Sequence, residues 1–309
     1  MPPPIKASKV KSINSPVNNK QLIIPGPTEF NVPPTQFNKF LKCYFGKKGV
    51  GKSTLASEEP NNLTFMFEPM RKNLRIRSIP MRKHTPEEII NGAPDAWAML
   101  MSSVDQIIND ETIDNVTFDS IDIAYECKYA SVCASHNIAS PTDAGKGSAD
   151  VWIEIRDTWA SDTYKFLDSR LSLTLLSHLA VREDEQLDMA KVKVKQPSCS
   201  PACLKWIKQA CDFVFYYGEI NKEKIIQVRD DTGMSEIASG VEGRFLQPNG
   251  QPLTFLPMPA LNGHINGYQT LVKAFNNECW DYYTTEDEKT TKPLTTGAKP
   301  SRPKLPPKR

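Results

Sequence analysis

Residues 40–54 read FLKCYFGKKGVGKST, an apolar run that ends in the pattern GxxxxGK[ST] at Gly46–Thr54. The pattern predicts a strand that enters a glycine-rich turn and then a helix. Glycine at the turn positions lets the backbone curl so that successive N–H groups point at phosphate oxygens. The candidate phosphate-contacting residues are Gly46, Lys47, Lys48, Gly49, Val50, Gly51, Lys52, Ser53 and Thr54.

Two side chains of this turn carry specific chemistry. Lys52 is expected to reach the β- and γ-phosphates of a nucleotide, and the Ser53 hydroxyl can ligate Mg²⁺ at the start of the helix. ATP and Mg²⁺ are therefore the expected cofactors. The motif defines the class of ligand and leaves the reaction open.

A second candidate strand, Asn115–Asp119, ends in a carboxylate. Strands of a parallel sheet that is buried on both faces read as apolar runs, and their carboxyl ends line the ligand crevice. Asp119 is thus expected beside Ser53, where it can hold Mg²⁺ through water. The alternative is that Asp119 and Asp122 only begin a turn or cap a helix.

Two further strands end in polar side chains. Leu63–Phe67 leads to Glu68, and Leu173–Ser177 leads to His178. At a strand tip beside the phosphate turn, Glu68 can orient and deprotonate the water that attacks the γ-phosphate, and His178 can sense that phosphate. A solvated glutamate and a structural histidine are the alternatives.

This order of motifs resembles a RecA-type core ATPase. More narrowly, GKKGVGKSTLASEEPNNLTFMFEP, NVTFDSID and LTLLSHLAVRE resemble the RecA-related nucleotide-binding proteins of phages, which serve single-strand annealing and recombination. The likeness covers roughly residues 37–245. It implies a RecA-like P-loop NTPase core of class α/β, with a mainly parallel sheet, helices on both faces and late β-hairpin strands. By position it implies catalytic roles for Lys52, Asp119, Glu68 and His178.

The same resemblance implies partners. They are single-stranded DNA, further copies of the chain in a ring or filament, and a single-strand DNA-binding protein. Segments 124–146 and 181–198 match loops that face the filament axis in RecA-like proteins, and the second contains Lys191, Lys193 and Lys195 on alternate residues. In an extended strand these lysines share one face. That face could contact the phosphate backbone of a nucleic acid, or it could simply be solvated. Arg244 is a candidate finger that reaches a neighbouring subunit's nucleotide.

Composition limits the remaining possibilities. The 309 residues contain no apolar run long enough for a membrane span, and the first twenty lack the apolar core of a signal peptide. An odd count of seven cysteines suits reduced thiols better than a disulfide framework. We therefore expect a cytoplasmic protein without a membrane partner, located in the host cytoplasm if a phage encodes it.

Charge is distributed unevenly along the chain. The first twenty residues carry +4 and residues 289–309 carry +7, so the formal net charge of +2 leaves −9 for residues 21–288. Both ends are rich in Pro, Lys, Ser and Thr and have little apolar area to offset the entropy of ordering. The sequence predicts a disordered basic extension at 1–35, an ATPase domain at 36–285 and a disordered basic tail at 286–309. The composition of the tails is equally compatible with binding of polyanions and with tails that stay solvated.

Local signals predict further elements. Thr85-Pro86 marks a helix start, residues 95–109 have helical periodicity, and Ser148 is expected to cap a helix that runs through Leu171. Residues 213–217 and 224–229 are expected to form a hairpin with its turn at 218–221. Alternating strands and helices predict an open, mainly parallel α/β sheet.

Together these features favour an ATP-hydrolysing recombination protein that binds single-stranded DNA in an ATP-dependent way. Three alternatives stay open: a helicase loader, a small-molecule kinase and a nucleotide-bound scaffold that does not hydrolyse. A kinase requires a lid whose arginines close over the substrate, and Arg71, Arg75, Arg77 and Arg82 could be read as such a lid.

Overall fold

The computed structural model describes residues 35–69, 76–185, 191–220, 222–230, 235–239, 241–258, 260–261, 264–265 and 267–278. All of these belong to the unit that spans 34–309. The strands are β1 Lys42–Gly46, β2 Asn62–Met66, β3 Ser78–Pro80, β4 Asn115–Asp119, β5 Ser172–Glu185, β6 Lys191–Pro197, β7 Phe213–Ile220, β8 Glu223–Gln227, β9 Ala238–Ser239, β10 Phe255–Pro257, β11 Ala260–Leu261 and β12 His264–Ile265. The α-helices are α1 Lys52–Ser57, α2 Pro86–Ile90, α3 Ala96–Asn109, α4 Ile121–Ser135, α5 Ser148–Leu167, α6 Pro201–Ala210 and α7 Gly267–Phe275, and 3-10 helices form at Phe37–Lys39 and Pro141–Gly147.

Ten strands form one mixed sheet with the order β10-β8-β7-β1-β5-β4-β2-β3, in which β6 also pairs with β5 and β9 with β7. The six strands from β7 to β3 in this order run parallel, whereas β8 and β10 extend the sheet in the antiparallel sense. The predicted α/β class, with a mainly parallel sheet and late hairpin strands, is confirmed. The carboxyl ends of β1, β2, β4 and the parallel part of β5 consequently meet at one edge.

Both faces of the sheet are covered by helices. Because successive residues of a strand point to opposite faces, Cys43 and Phe45 pack in the cluster that contains α3, α4, α5 and α6, whereas Tyr44 packs with α1 and α7. Every residue of β1, β2 and β4 is buried. Burial of one aromatic side chain such as Phe45 contributes about 1.5–3 kcal/mol relative to exposure, so two apolar layers hold the strand ends in place.

Helix starts follow the local signals in the sequence. Thr85 and Glu88 form a reciprocal capping box at α2, and the Asp95 side chain accepts a hydrogen bond from Ala98 N at α3. The expected extent of α5 is wrong at both ends, because Gly147 is the N-cap and the helix ends at Leu167. Beyond Leu167, Ser169 Oγ donates to Phe166 O across 2.6 Å, and the chain turns into β5.

The late hairpin has a shorter turn than expected. Gly218 pairs with Ile225 and Glu219 with Lys224, so β7 continues through the positions predicted as turn. Only residues 221–222 connect the two strands. Backbone pairing therefore extends β7 beyond its aromatic run, and this extension carries the start of β8 toward the edge where the strand ends meet.

Three other expectations concern the chain as a whole. The six cysteines of the described part are free thiols, and the expected reduced state stays a prediction. Of the helices in the described ranges, none combines the length with the apolar composition that a membrane crossing requires. The basic tails and the lid arginines at 71 and 75 lie outside the described residues, apart from Thr35 of the N-terminal extension.

Candidate nucleotide site

The GxxxxGK[ST] segment forms a tight loop between β1 and α1. Gly49 has φ 87° and Gly51 has φ 118°, values that glycine adopts without steric cost. At Gly46 a Cβ atom would lie 2.0 Å from the carbonyl oxygen of Tyr217 on β7, so only glycine fits there. These three glycines are thus required by the backbone geometry of the loop.

Lys52 lies across this loop. Its Nζ donates to Gly46 O at 2.9 Å and to Lys47 O at 3.1 Å, and the residue is only 7% exposed. The ammonium group is therefore held inside the curl of the loop, together with the N-terminus of α1. Both supply positive charge at the position expected for phosphate oxygens.

Ser53 and Asp119 meet as the sequence predicts. Ser53 Oγ donates to Asp119 Oδ2 across 2.6 Å, which joins α1 to the end of β4. Burial raises the pKa of Asp119, although the hydrogen bond from Ser53 acts in the opposite direction. Asp119 is not a helix cap, because α4 begins at Ile121 and Ser120 is its N-cap. The peptide bond between Asp119 and Ser120 is cis.

This pair fits a magnesium ion. Mg²⁺ prefers hard oxygen ligands, usually one or two carboxylates together with substrate phosphates and waters. A hydroxyl oxygen and a carboxylate oxygen that already lie within hydrogen-bonding distance beside the phosphate loop supply such donors. Ser53 and Asp119 would hold the ion, which when bound would neutralise charge on the phosphates.

Glu68 and His178 form the second contact of the site. Glu68 Oε1 and His178 Nε2 lie 2.5 Å apart, and the side chains are 20% and 33% exposed. Burial alone would raise the pKa of Glu68, but the contact with His178 and the charges of His178 and Lys48 help to lower it overall. The Glu68 side chain is therefore not fully solvated. Its carboxylate lines the same cavity as the phosphate loop, and its role as a general base stays a prediction.

Backbone contacts fix the position of Glu68. The N–H groups of Phe67 and Glu68 donate to the Asp119 carbonyl oxygen at 2.7 and 3.2 Å. The end of β2 is thereby tied to the end of β4. This arrangement places the general-base candidate and the magnesium-ligand candidate at one edge of the sheet.

Asp122 is a site residue that the sequence analysis missed. Its Oδ1 accepts from Ser177 Oγ at 2.7 Å and its Oδ2 from His178 N at 3.0 Å. Burial raises its pKa to about 6, against the two hydrogen bonds, which lower it. Asp122 therefore fixes the backbone that carries His178. The only sequence signal was its spacing of three residues from Asp119, which also suits a helix cap.

One polar cavity of about 200 Å³ lies where β1, β2 and β4 end, beside the middle of β5, the start of β8 and the first turn of α1. Its lining combines the loop, the two carboxylates and the histidine with a lysine from β8 that the sequence analysis did not include. The lining residues are Lys48, Gly49, Gly51, Lys52, Ser53, Thr54, Met66, Glu68, Pro69, Asp119, Ser120, His178 and Lys224.

The expected DNA-contacting lysines lie away from this cavity, on β6. The register places Lys193 opposite Glu183 and Lys195 opposite Val181, while the backbone of Lys191 pairs with that of Glu185. Lys195 Nζ lies 4.4 Å above the ring centre of Tyr216. An acidic residue, Glu183, thus stands opposite Lys193, which reduces the positive charge at that position.

Arg244 is not brought to the cavity of its own chain. Its guanidinium carbon lies 4.3 Å from the ring centre of Phe275, a cation–π contact on the α7 side of the sheet. Its role as a finger for a neighbouring subunit stays a prediction.

The fold and this site define the class of protein, a P-loop NTPase-type domain in which nucleotide phosphates are the ligand. A protein-family model described as an AAA domain matches residues 40–255, which covers most of the chain and includes the loop, Glu68, Asp119 and His178. The chain belongs to this AAA domain family. A comparison with curated proteins gave no match.

Proposed function

We propose that this protein is an ATPase of RecA-like type that acts in DNA recombination or single-strand annealing, and that Mg-ATP controls its binding to single-stranded DNA. ATP hydrolysis uses Glu68 as the base that activates water, Lys52 on the phosphates, and Ser53 and Asp119 as magnesium ligands. Its expected partners are single-stranded DNA, further copies of the chain and a single-strand DNA-binding protein.

The contact between Glu68 and His178 carries this proposal. His178 lies in β5, and the same strand continues without a break through residues 179–185, where it pairs with β6 in an antiparallel hairpin. A terminal phosphate that contacts Glu68 or His178 therefore acts on the strand from which the hairpin extends. Ser198 N donates to His178 O at 2.9 Å and to Ser177 Oγ at 3.0 Å, so both strands of the hairpin are tied to this position.

The surface of the hairpin suits a solvent-exposed binding element. Val181 is 55% exposed and Lys193 is exposed, so both side chains are accessible to a nucleic acid strand. Ammonium groups on such a strand can contact phosphates without reading base sequence. Glu183 on β5, opposite Lys193, weakens this attraction, and we therefore expect ATP-dependent binding of moderate strength and high sensitivity to salt.

An electrophoretic shift of labelled single-stranded DNA with and without Mg-ATP tests the proposal. The wild type is expected to shift the DNA more strongly with Mg-ATP, and Lys52→Ala is expected to lose this dependence. Lys193→Ala is expected to weaken the shift, whereas Lys205→Ala, at another exposed lysine, on α6, is expected to keep it. A shift that is the same with and without Mg-ATP contradicts ATP control.

The alternatives give different outcomes. For the kinase alternative, Arg77 is a poor candidate for a lid residue, because its guanidinium already contacts Asp110 at 3.2 Å and the Thr112 carbonyl oxygen. Phosphoryl transfer to a small acceptor without DNA-stimulated hydrolysis would favour the kinase. Equal and negligible turnover in wild type, Lys52→Ala and Glu68→Gln would favour a scaffold, and DNA stimulation that requires a helicase would favour a loader.

A further inference from the structure

Lys224 stands out among the residues of the cavity because it comes from β8, far along the chain from the motifs. It lines the same cavity as Lys52 and Glu68, and its Nζ lies 3.5 Å from the position that a Cβ atom on Gly51 would occupy. It also lines an adjoining cavity of about 220 Å³ with Lys47, Lys48, Gly49, Val50, Tyr216, Gly218 and Glu219. Lys224 therefore lies between the two cavities, over the middle of the phosphate loop.

The hairpin register leaves an obvious ion-pair partner unused. Lys224 is directly opposite Glu219 in the β7–β8 ladder, a position where opposite charges commonly pair. Glu219 is instead exposed, and within the described part of the chain the Lys224 ammonium makes no ion pair. The ammonium faces the phosphate loop, where an anionic ligand would be its partner.

The strand that carries Lys224 is fixed against the loop. A Cβ atom on Gly46 would meet the Tyr217 carbonyl, and one on Gly51 would lie 3.3 Å from the Tyr217 hydroxyl. At Gly218 a Cβ atom would lie 2.5 Å from the Tyr216 ring. The end of β7 is thus packed directly beneath the loop, and β8, paired with it, presents Lys224 from a rigid element.

We propose that Lys224 is a phosphate-contacting lysine from outside the loop, which acts on the nucleotide of its own chain. It shares both cavities with Lys48 and Gly49, and one of these cavities is also lined by Glu68, the candidate water-activating residue. The Lys224 ammonium is therefore on the side of the loop that faces the terminal phosphate. The Lys224 ammonium therefore strengthens the binding of a nucleoside triphosphate relative to a diphosphate. The inference rests on the proposed nucleotide binding and deepens it.

Binding measurements on Lys224→Met test the inference, since methionine keeps most of the apolar stem and removes the charge. Titration calorimetry with a non-hydrolysable ATP analogue and with ADP gives the two affinities. We expect about tenfold weaker binding of the analogue, a loss typical of a hydrogen bond to a charged group, and less than threefold weaker binding of ADP. Lys222→Asn is the matched control, because Lys222 is an exposed lysine two residues away with φ 71°, which Asn tolerates.

Two outcomes overturn the inference while the proposed function stands. If Lys224→Met binds the analogue as the wild type does, Lys224 makes no phosphate contact. In a mixture of the Lys224→Met and Lys52→Ala proteins, a Lys224 side chain that acted on a neighbouring chain could serve the intact loop of that neighbour. If such a mixture hydrolyses ATP faster than either variant alone, Lys224 acts on a neighbouring chain. A wild type that binds no triphosphate instead contradicts the proposed function, and the inference falls with it.

Discussion

Ser53 Oγ donates a hydrogen bond to Asp119 Oδ2 across 2.6 Å, and this contact joins the first turn of α1 to the end of β4. The two residues are 66 positions apart in the chain. They meet because β1 and β4 are both neighbours of β5 and end at the same edge of the sheet. One hydroxyl and one carboxylate are thereby set side by side next to the phosphate loop.

This contact leads to a prediction about magnesium. Asp119→Asn keeps an oxygen that can accept from Ser53 but removes the charge that attracts the ion. We expect the affinity for ATP in the presence of Mg²⁺ to fall about tenfold or more, and the affinity in excess chelator to change little. Titration calorimetry under both conditions measures this difference. Asp150→Asn, an exposed carboxylate at the start of α5, should behave as the wild type.

A second prediction concerns the pair formed by Glu68 and His178. Glu68→Gln removes the base and keeps the shape of the side chain, so hydrolysis should fall about 10²–10⁴-fold while the affinity for ATP changes less than threefold. Phosphate release and nucleotide binding, measured on the same preparation, separate the two effects.

The protein offers a matched control for this prediction. His136 and Glu154 form another His–Glu contact at 2.7 Å, on the surface and away from the loop. Glu154→Gln should hydrolyse ATP as fast as the wild type. If Glu68→Gln does the same, Glu68 does not activate water.

Much of the site could be predicted because its signals are local. The phosphate loop is one contiguous stretch, and Glu68, Asp119 and His178 each follow an apolar run that reads as a buried strand. Parallel strands place such ends at one edge regardless of the details of packing. The sequence therefore predicted which residues meet, and the structure adds that Glu68 contacts His178 directly.

Lys224 and Asp122 could not be found in this way. Lys224 reaches the loop only because β7 continues through Gly218 and Glu219, which the sequence marked as a turn, so its position depends on antiparallel register. Asp122 contacts Ser177 and the backbone of His178, which are distant in the chain. Both contacts arise from tertiary packing, for which a single sequence carries no periodic signal.

The close approach of β1 and β7 gives a prediction about stability. Gly46→Ala would place a Cβ atom 2.0 Å from Tyr217 O, and backbone cannot move aside as a flexible side chain could. We expect a loss of about 3 kcal/mol or more in the free energy of unfolding, at the upper end of what overpacking costs. Urea denaturation measures it. Gly147→Ala, where the nearest atom lies 3.9 Å from the new Cβ, should cost less than about 1 kcal/mol.

The fully buried pair of Lys42 and Glu59 gives another prediction about stability. Their Nζ and Oε2 atoms lie 3.0 Å apart without hydrogen-bond alignment, and Thr174 Oγ1 donates to Glu59 Oε1 at 2.9 Å. Lys42→Met leaves a buried charge without its partner, which typically costs about 3–5 kcal/mol. The double variant Lys42→Met with Glu59→Gln should lose less than the sum of the two single variants. Additive losses in urea denaturation would show that the two charges do not interact.

The last prediction concerns the pH dependence of stability, through Asp122. Burial raises the pKa of its carboxyl to about 6 in the folded protein, above the value of about 3.9 expected in the unfolded chain. Between these two values the folded state binds more protons than the unfolded state. The contribution of Asp122 to the free energy of unfolding is therefore present at low pH and is lost as the pH rises through about 6.

Asp122→Asn removes this titration, so its free energy of unfolding should change less between pH 5 and pH 7, by about 1 kcal/mol relative to the wild type. Glu68 does not obscure the comparison, because its pKa is lowered from 4.5 and its contribution is lost only at more acidic pH. The raised pKa of Asp119 acts in the same direction as that of Asp122 but is common to both proteins. Urea denaturation at the two pH values tests the prediction, with Asp150→Asn as the exposed control. An identical pH dependence in Asp122→Asn and the wild type would mean that the buried carboxyl titrates at its ordinary value, and that its hydrogen bonds to Ser177 and His178 offset its burial.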